Sequence, residues 1–499
     1  MAGVGSTSQT KRIAKQVCKR LRAISRLRIV WTRALASHVL EQGFPFSDHI
    51  DVNSIDCSEL EYRTRRAYQL GQFWLDQKAI PRELAAWTAG NSATGVSDVR
   101  FSPGHPDWLF TVSKGIWSMI TCWELGGRGD HYKRTRQLAE WSPRQTLITG
   151  IAVNSDPGSE ACLAVAGRQE IEILTVREVE GEDRFAFHTL QTISTPFRVM
   201  SLHGDMLASS DDVNETHVHN WRTGDYAVLW GSNEPSEHNF QVVLTPNCVF
   251  VVRARSFEVF PELLLSPSNQ MSVSGYTHPI CRHQFGWIDG VAMSSQKAIQ
   301  PPATSTPPFS IVLRAESDDP WSSDVHTLDL FDLEPNPNYG GHPAHPSISH
   351  DTVSYPPVSD DDAKLPGSAY IFPPLHRTSW RSARGHLRCT DILLGSHGTA
   401  IWVLPRPARN LDLTALDVHA SDTQGPGGDS TREALVAAIL PGHFKDNRQC
   451  VPGPDNATDV RTLCTYEGTS GNWTSVDYDE PGGRIALGDS QGKVRVLDL

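Results

Sequence analysis

From Val96 onward apolar and polar residues alternate over short runs, the pattern of half-buried β-strands. VSDVRFSP (96–103), DWLFTVSKG (107–115) and ITCWEL (120–125) come first, separated by Ser, Gly, Pro and Asp. The series continues with CLAVAG…IEILTV (162–176), MLASSDD…HVHNWRTGD (206–225), CVFVVRARSFEVF (248–260), FSIVLRA…VHTLDLFDL (309–333), ILLGSHGTAIWVL (392–404) and RIALGDSQGKVRVLDL (484–499). Roughly seven such units predict a mainly β fold in which small four-stranded sheets stand around an axis and bury one another's faces. Because the last unit ends on a strand, ring closure predicts that residues 83–95 complete the final sheet. Stretches rich in Pro and Ser at 296–308, 334–374 and 405–431 show neither period and are expected to be surface loops inserted in this region, 83–499.

Ahead of the strands the period is helical. Ile13, Val17, Leu21, Ile24, Leu27, Trp31 and Leu35 recur at steps of three and four, which predicts one apolar stripe along a helix. A second helix is expected over SELEYRTRRAYQLGQFWL (58–75), opened by Ser58 and Glu61 at capping-box spacing. Leu60, Ala67, Leu70, Phe73 and Trp74 form its apolar face.

Charge divides the chain in the same place. Residues 1–35 carry nine Lys and Arg and no acid, so a net charge of −12 leaves −21 on the remainder. A body that negative repels phosphate backbones, which argues against a nucleic-acid partner. No apolar run reaches the roughly 20 residues a bilayer requires, so no membrane partner is expected. The basic start lacks the apolar stretch of a secretory signal, although an acid-free amphipathic start also fits a mitochondrial transit peptide. Without secretion, the sequons at Asn214, Asn456 and Asn472 read as chance matches. Nine scattered cysteines without a C-x-x-C pair predict neither a zinc site nor a disulfide framework.

The final segment, GNWTSVDYDEPGGRIALGDSQGKVRVLDL (471–499), resembles one unit of a WD-repeat propeller. Trp473, Ser475 and Asp477 alternate, a Pro-Gly-Gly turn follows, and Ile485 to Gly488 and Val494 to Asp498 form the paired strands. Leu497 stands where that family has Trp, and Ser490 stands at a turn position often held by Asp. Trp123 and Trp221 fill the matching Trp place in earlier units.

VCKRLRAISRLRIVW (17–31) resembles the second half of an F-box, while MAGVGSTSQTKRIAK occupies the place of the first half. The order of parts is similar to that of fungal F-box proteins with a C-terminal WD-repeat-like propeller. The resemblance implies a partial F-box-like segment at 1–50, a helical linker at 51–82 and a propeller at 83–499. It further implies a substrate-recognition subunit of a Skp-cullin-F-box ubiquitin ligase. Val17, Leu21, Ile24, Leu27, Trp31 and Leu35 would dock a Skp-type adaptor and through it a cullin, and the propeller would hold an unknown target protein. Such a receptor acts in the cytoplasm or nucleus and uses no cofactor, metal or catalytic residue. The alternative is a propeller scaffold without ligase docking.

A third class, a propeller hydrolase, needs a nucleophile-histidine pair or perturbed carboxylates in a central pocket. No phosphate-loop, dinucleotide, nucleophile-elbow or H-E-x-x-H motif is present. His217 and His219 share a strand face and are read as part of an outer blade strand rather than a metal site. His342, His345 and His350, and the run Asp360 to Asp362, fall in the loop 334–374 and are read as solvated.

Overall fold

The computed structural model describes residues 23–499 except 48–49, 90–93, 116, 127–134, 144–146, 183, 212, 232–237, 267–275, 298–305, 316–324, 340–367, 384–386, 406–432, 445–459 and 467–470. Most of the three predicted insertions, the histidines at 342, 345 and 350, Asp360 to Asp362, and Val17 and Leu21 lie outside the described residues.

Seven antiparallel four-stranded sheets make up the β region. Blade 1 runs Gly95–Phe101, Trp108–Lys114, Ser118–Glu124 and Arg136–Trp141, from the axis outward. Blades 2 to 6 repeat this order and begin at Gly150–Val153, Arg198–His203, Asn239–Leu244, Ile288–Ser295 and Ile392–Leu394. Blade 7 has three C-terminal strands, Trp473–Asp479, Arg484–Asp489 and Lys493–Asp498, and its outermost strand is Arg82–Thr88. That strand pairs antiparallel from Arg82 opposite Asp498 to Thr88 opposite Lys493, with one register shift between Glu83 and Ala85, and so completes the sheet. The innermost strands neighbour one another in sequence, and the first strand of blade 7 lies beside that of blade 1, so the ring is closed. The fold is thus a seven-bladed β-propeller.

Alternation explains the packing. In Trp108–Lys114 and Ser118–Glu124 nearly every residue is buried, because second and third strands have a neighbouring blade on both faces. One apolar layer between blades 1 and 2 joins Phe110, Val112, Ile120, Leu163 and Leu174; another between blades 3 and 4 joins Val218, Leu229, Val249, Val251 and Phe260. His217 and His219 lie on Glu215–Asn220, the third strand of blade 3, and not on its outer strand. His217 Nε2 lies 2.7 Å from Glu215 Oε1, and the His219 ring stacks on Tyr226.

Among the described residues, two α-helices of more than two turns precede the ring: α1 (Arg28–His38) and α2 (Cys57–Leu75). The predicted continuous stripe from Ile13 to Leu35 is interrupted. Leu27 is extended, at φ −73° and ψ 128°, and α1 starts only after it. The break turns Trp31 inward, where its Nε1 donates to Ser25 O at 2.7 Å. The cap of α2 is Asp56, not Ser58: its carboxylate accepts from Glu59 N at 2.6 Å.

Candidate functional site

Each blade's first strand runs from one face of the ring, here called upper, to the other, called lower. Loops joining first to second strands therefore lie on the lower face. Loops joining second to third strands, and blade to blade, lie on the upper face.

On the lower face, α1 and α2 form a cap over blades 6 and 7. Trp31, Leu35, Val39, Phe44, Leu60, Leu70 and Trp74 share one core with Ile401, Val403, Trp473, Val476 and Ile485. Arg66 of α2 donates to the carbonyls of Leu499, Gly482 and Gly483 at 2.9, 3.1 and 3.3 Å and pairs with Asp498 at 2.6 Å. Arg461 of blade 6 closes the far end of α2, donating to Phe73 O and Asp76 O at 2.8 and 2.7 Å. Burial lowers its pKa to about 10.

The stripe expected to face an adaptor is consequently split. Trp31 and Leu35 are 4% and 2% exposed, in the core between helix and propeller. Ile24 and Leu27 are 42% and 52% exposed and face outward, with Ile29 beside them at 66%.

Under the cap lies a buried polar network. His397 Nδ1 stands 3.0 Å from Glu480 Oε2, and the Thr399 hydroxyl donates to Glu480 Oε1 at 2.5 Å. Burial alone would push the Glu480 carboxyl up, but the bonds from His397 and Thr399 outweigh it and hold the carboxyl below its ordinary value. The arrangement has the acid-imidazole half of a hydrolytic triad. Its outer nitrogen, however, faces two donors: Phe46 N at 3.3 Å and the Lys297 ammonium at 3.3 Å. No lone pair remains there to activate a nucleophile. The network instead fastens the loop after α1 to the lower loops of blades 5, 6 and 7.

The axis holds a second cluster of perturbed carboxylates. Arg100 of blade 1 lies 3.6 Å from Asp98 and 4.0 Å from Asp391. Burial raises the carboxyls of Asp98 and Asp477, with Arg100 opposing it at both. These acids join inner strands: Asp477 accepts from Phe101 N at 2.6 Å, and Asp391 accepts from Val476 N at 3.0 Å. Gln241 does the same between blades 4 and 5, accepting from Met293 N at 2.9 Å. Carboxylates so engaged hold the ring together. Away from the axis, a cavity of about 250 Å³ opens on the lower face, lined by Ser102, His105, Asn154, Asp156 and Glu160.

The upper face presents side chains of a different kind. Among the described tryptophans only Trp117 and Trp287 are strongly exposed, at 50% and 43%. Both stand on upper loops, Trp117 within blade 1 and Trp287 at the start of blade 5. The Arg255 guanidinium lies over the Trp287 ring at 4.6 Å. Leu147 and Val213 add exposed apolar surface at 43% and 48%. Among described residues, the exposed charges of these loops are Lys114, Arg168, Arg255, Arg388 and Lys493, against Glu170. The described exposed charges of this face are thus mostly basic and surround two open tryptophans.

Sequence reasoning located these loops but singled out none of their residues. The usable signal was an aromatic in a turn: Trp117 stands two residues after SKG, and Trp287 follows FG, where no neighbouring strand remains to cover it. At the last upper turn, Ser490 Oγ accepts from Asn472 N at 3.2 Å. The buried carboxylate of that turn comes one residue earlier, from Asp489, which accepts from Gln491 N and Lys493 N at 2.9 and 2.8 Å. No helix among the described residues is long and apolar enough to cross a membrane.

No family model matches the chain, and no curated protein matches it. Among solved structures it is similar to the β-propeller domain of Cps50 (Swd1) from Myceliophteria thermophila, with a TM-score of 0.45 and 8% identity over 84% of this chain and 99% of that one. At that distance the likeness adds nothing to the architecture, which rests on the seven paired sheets and their closure.

Proposed function

We propose that the protein is a non-catalytic interaction scaffold whose upper propeller face holds an acidic partner protein. The observation that carries this reading is the placement of the two open tryptophans, Trp117 and Trp287, on that face among Lys114, Arg168, Arg255 and Lys493. Exposed Trp and Arg anchors dominate binding energy at protein interfaces, while surrounding charge speeds the encounter and selects its sign.

Zero-length carbodiimide coupling of the full chain with co-purified proteins tests the reading. It predicts links from Lys114 or Lys493 to Asp or Glu of the partner. Trp117→Ala, exposed and therefore harmless to folding, is expected to weaken that association by at least about 30-fold, the 2 kcal/mol of a central anchor. Partners retained at full strength by a Trp117→Ala, Trp287→Ala double variant would overturn it.

A finer reading makes the scaffold a ubiquitin-ligase receptor that docks a Skp-type adaptor, and through it a cullin, by its N-terminal segment. Its support is the outward placement of Ile24 and Leu27 on the side opposite the upper face, so that adaptor and target would be held together. Trp31 and Leu35 serve the interior, which leaves Val17, Leu21, Ile24 and Leu27 to make the contact. Leu27→Asp is expected to abolish adaptor co-purification while the Tm stays within a few degrees. Recovery of equal adaptor by that variant, or of none by the native chain, refutes the docking.

A further inference from the structure

The seven outermost strands are unequally protected. An outer edge offers unpaired main-chain donors and acceptors, and proteins blunt it with charge, proline, shortness or a covering segment. Arg136–Trp141 bears Arg136 and Glu140, Arg82–Thr88 bears Arg82 and Glu83, and Leu375–Ala383 bears Arg377. Cys281–Gln284 has four residues and Arg461–Thr465 five, the latter with Arg461 held under α2. Tyr226–Trp230 is covered: Tyr226 and Ser266 exchange main-chain bonds of 3.0 Å, and Trp230 N donates to Thr277 O at 2.9 Å.

Phe185–Ser194 of blade 2 has none of these devices. It is ten residues long, reads FAFHTLQTIS, and contains no Lys, Arg, Asp, Glu or Pro. His188, Thr189, Gln191 and Thr192 are exposed, and among the described residues no main chain pairs with its outer side. One irregularity divides it: the register shifts opposite Ile173 and Leu174, so that Leu190 has no cross-strand partner. The uninterrupted half is Phe185–Thr189, next to the turn that joins it to the strand Glu170–Glu178.

We propose that this half-edge accepts an extended basic segment of a partner protein as a fifth strand of blade 2. The neighbouring turn selects the charge. Glu178, Glu180 and Glu182 are exposed there; Arg184 is engaged by Glu182, and Arg177 by Glu160. Glu178 and Glu180 are left to meet Lys or Arg on the incoming strand. A second copy of this chain fits less well, because two-fold antiparallel pairing would set this acidic turn beside Glu170 of the other copy. Main-chain bonds then supply affinity and the acidic turn supplies specificity, the usual division in strand addition. The site is remote from Trp117 and is independent of the upper-face reading.

The probe is a blocked peptide, Lys-Thr-Lys-Val-Thr-Val-Thr-Val, added to the full chain. Hydrogen exchange should slow about tenfold at the alternate, outward-facing amides of Phe185–Thr189, with no change at Leu375–Ala383, as expected for newly paired donors. Glu178→Lys combined with Glu180→Lys, both exposed, should weaken binding about tenfold. A fully N-methylated peptide and one with Glu for Lys should not bind, and Trp117→Ala should change nothing. The proposal fails if the methylated or the Glu peptide binds equally, or if protection falls elsewhere. It fails equally if no saturable binding occurs up to millimolar peptide, or if the protein alone dimerises with protection of these same amides.

Discussion

Gly71 of α2 has no room for a side chain: a Cβ there would stand 2.2 Å from the Phe44 ring. The cap can press its phenylalanine loop against α2 only because the helix accepts a residue that costs it about 1 kcal/mol of propensity. His219 shows a residue-scale cost of another kind. Its Nε2 is buried without a partner, and burial first, then the nearby His217, lowers its pKa from 6.5 to about 4. A depressed histidine pKa means that the unfolded chain binds the proton more readily, so stability falls as pH drops from 6.5 towards 4. His219→Phe should flatten that limb, recovering up to roughly 3 kcal/mol at pH 4 relative to pH 7 in denaturant titrations. An unchanged acid limb would show that the imidazole is not the titrating group. The HVH pattern made its shared face legible in the sequence. Its neutrality was not, because that depends on Tyr226 across the strand pair and on a blade packed behind it.

At the scale of elements, strands were read more truly than helix limits. Alternation is a local signal that survives folding, and each of the quoted runs supplies strands of a blade. The stripe from Ile13 to Leu35 was correctly apolar yet not continuous, since nothing in its period marks the break at Leu27 that lets Trp31 reach Ser25. Ser58 and Glu61 had the right spacing for a cap, as do Asp56 and Glu59. The extended backbone at Asp56, not the motif, decides between them. The strand Arg82–Thr88 illustrates an element whose sequence, RELAAWT, is undistinguished and whose role comes from where it lands. Deleting it leaves Lys493–Asp498 with an open edge and uncovers part of the apolar layer that includes Trp87 and Trp123. Size-exclusion chromatography should then show aggregation, and thermal melting a Tm lower by at least several degrees. A monomeric deletion variant of native Tm would mean that the sheet does not depend on its borrowed strand.

At the scale of the whole molecule the two faces of the ring are built differently. Apolar burial and the Glu480 network fix the helices to the lower side. On the upper side Trp117 and Trp287 stay open, and the exposed charges among the described residues are mostly cations. Composition alone pointed away from polyanions, and only the topology shows that Lys114, Arg168, Arg255 and Lys493 come to one face. They lie far apart in sequence, so no window on the chain could have gathered them.

The meeting of blades 7 and 1 has a mechanical consequence. Besides the Asp477 contact, Ser475 Oγ accepts from Val99 N at 3.2 Å, Arg100 donates to Val476 O at 3.3 Å, and Arg484 reaches Asp107 at 3.2 Å. This seam is the clasp of the hoop, and it is riveted by side chains as well as by packing. The join of blades 7 and 1 is therefore held by directional bonds as well as by apolar contact, so that slippage between the two blades would have to break several of them at once.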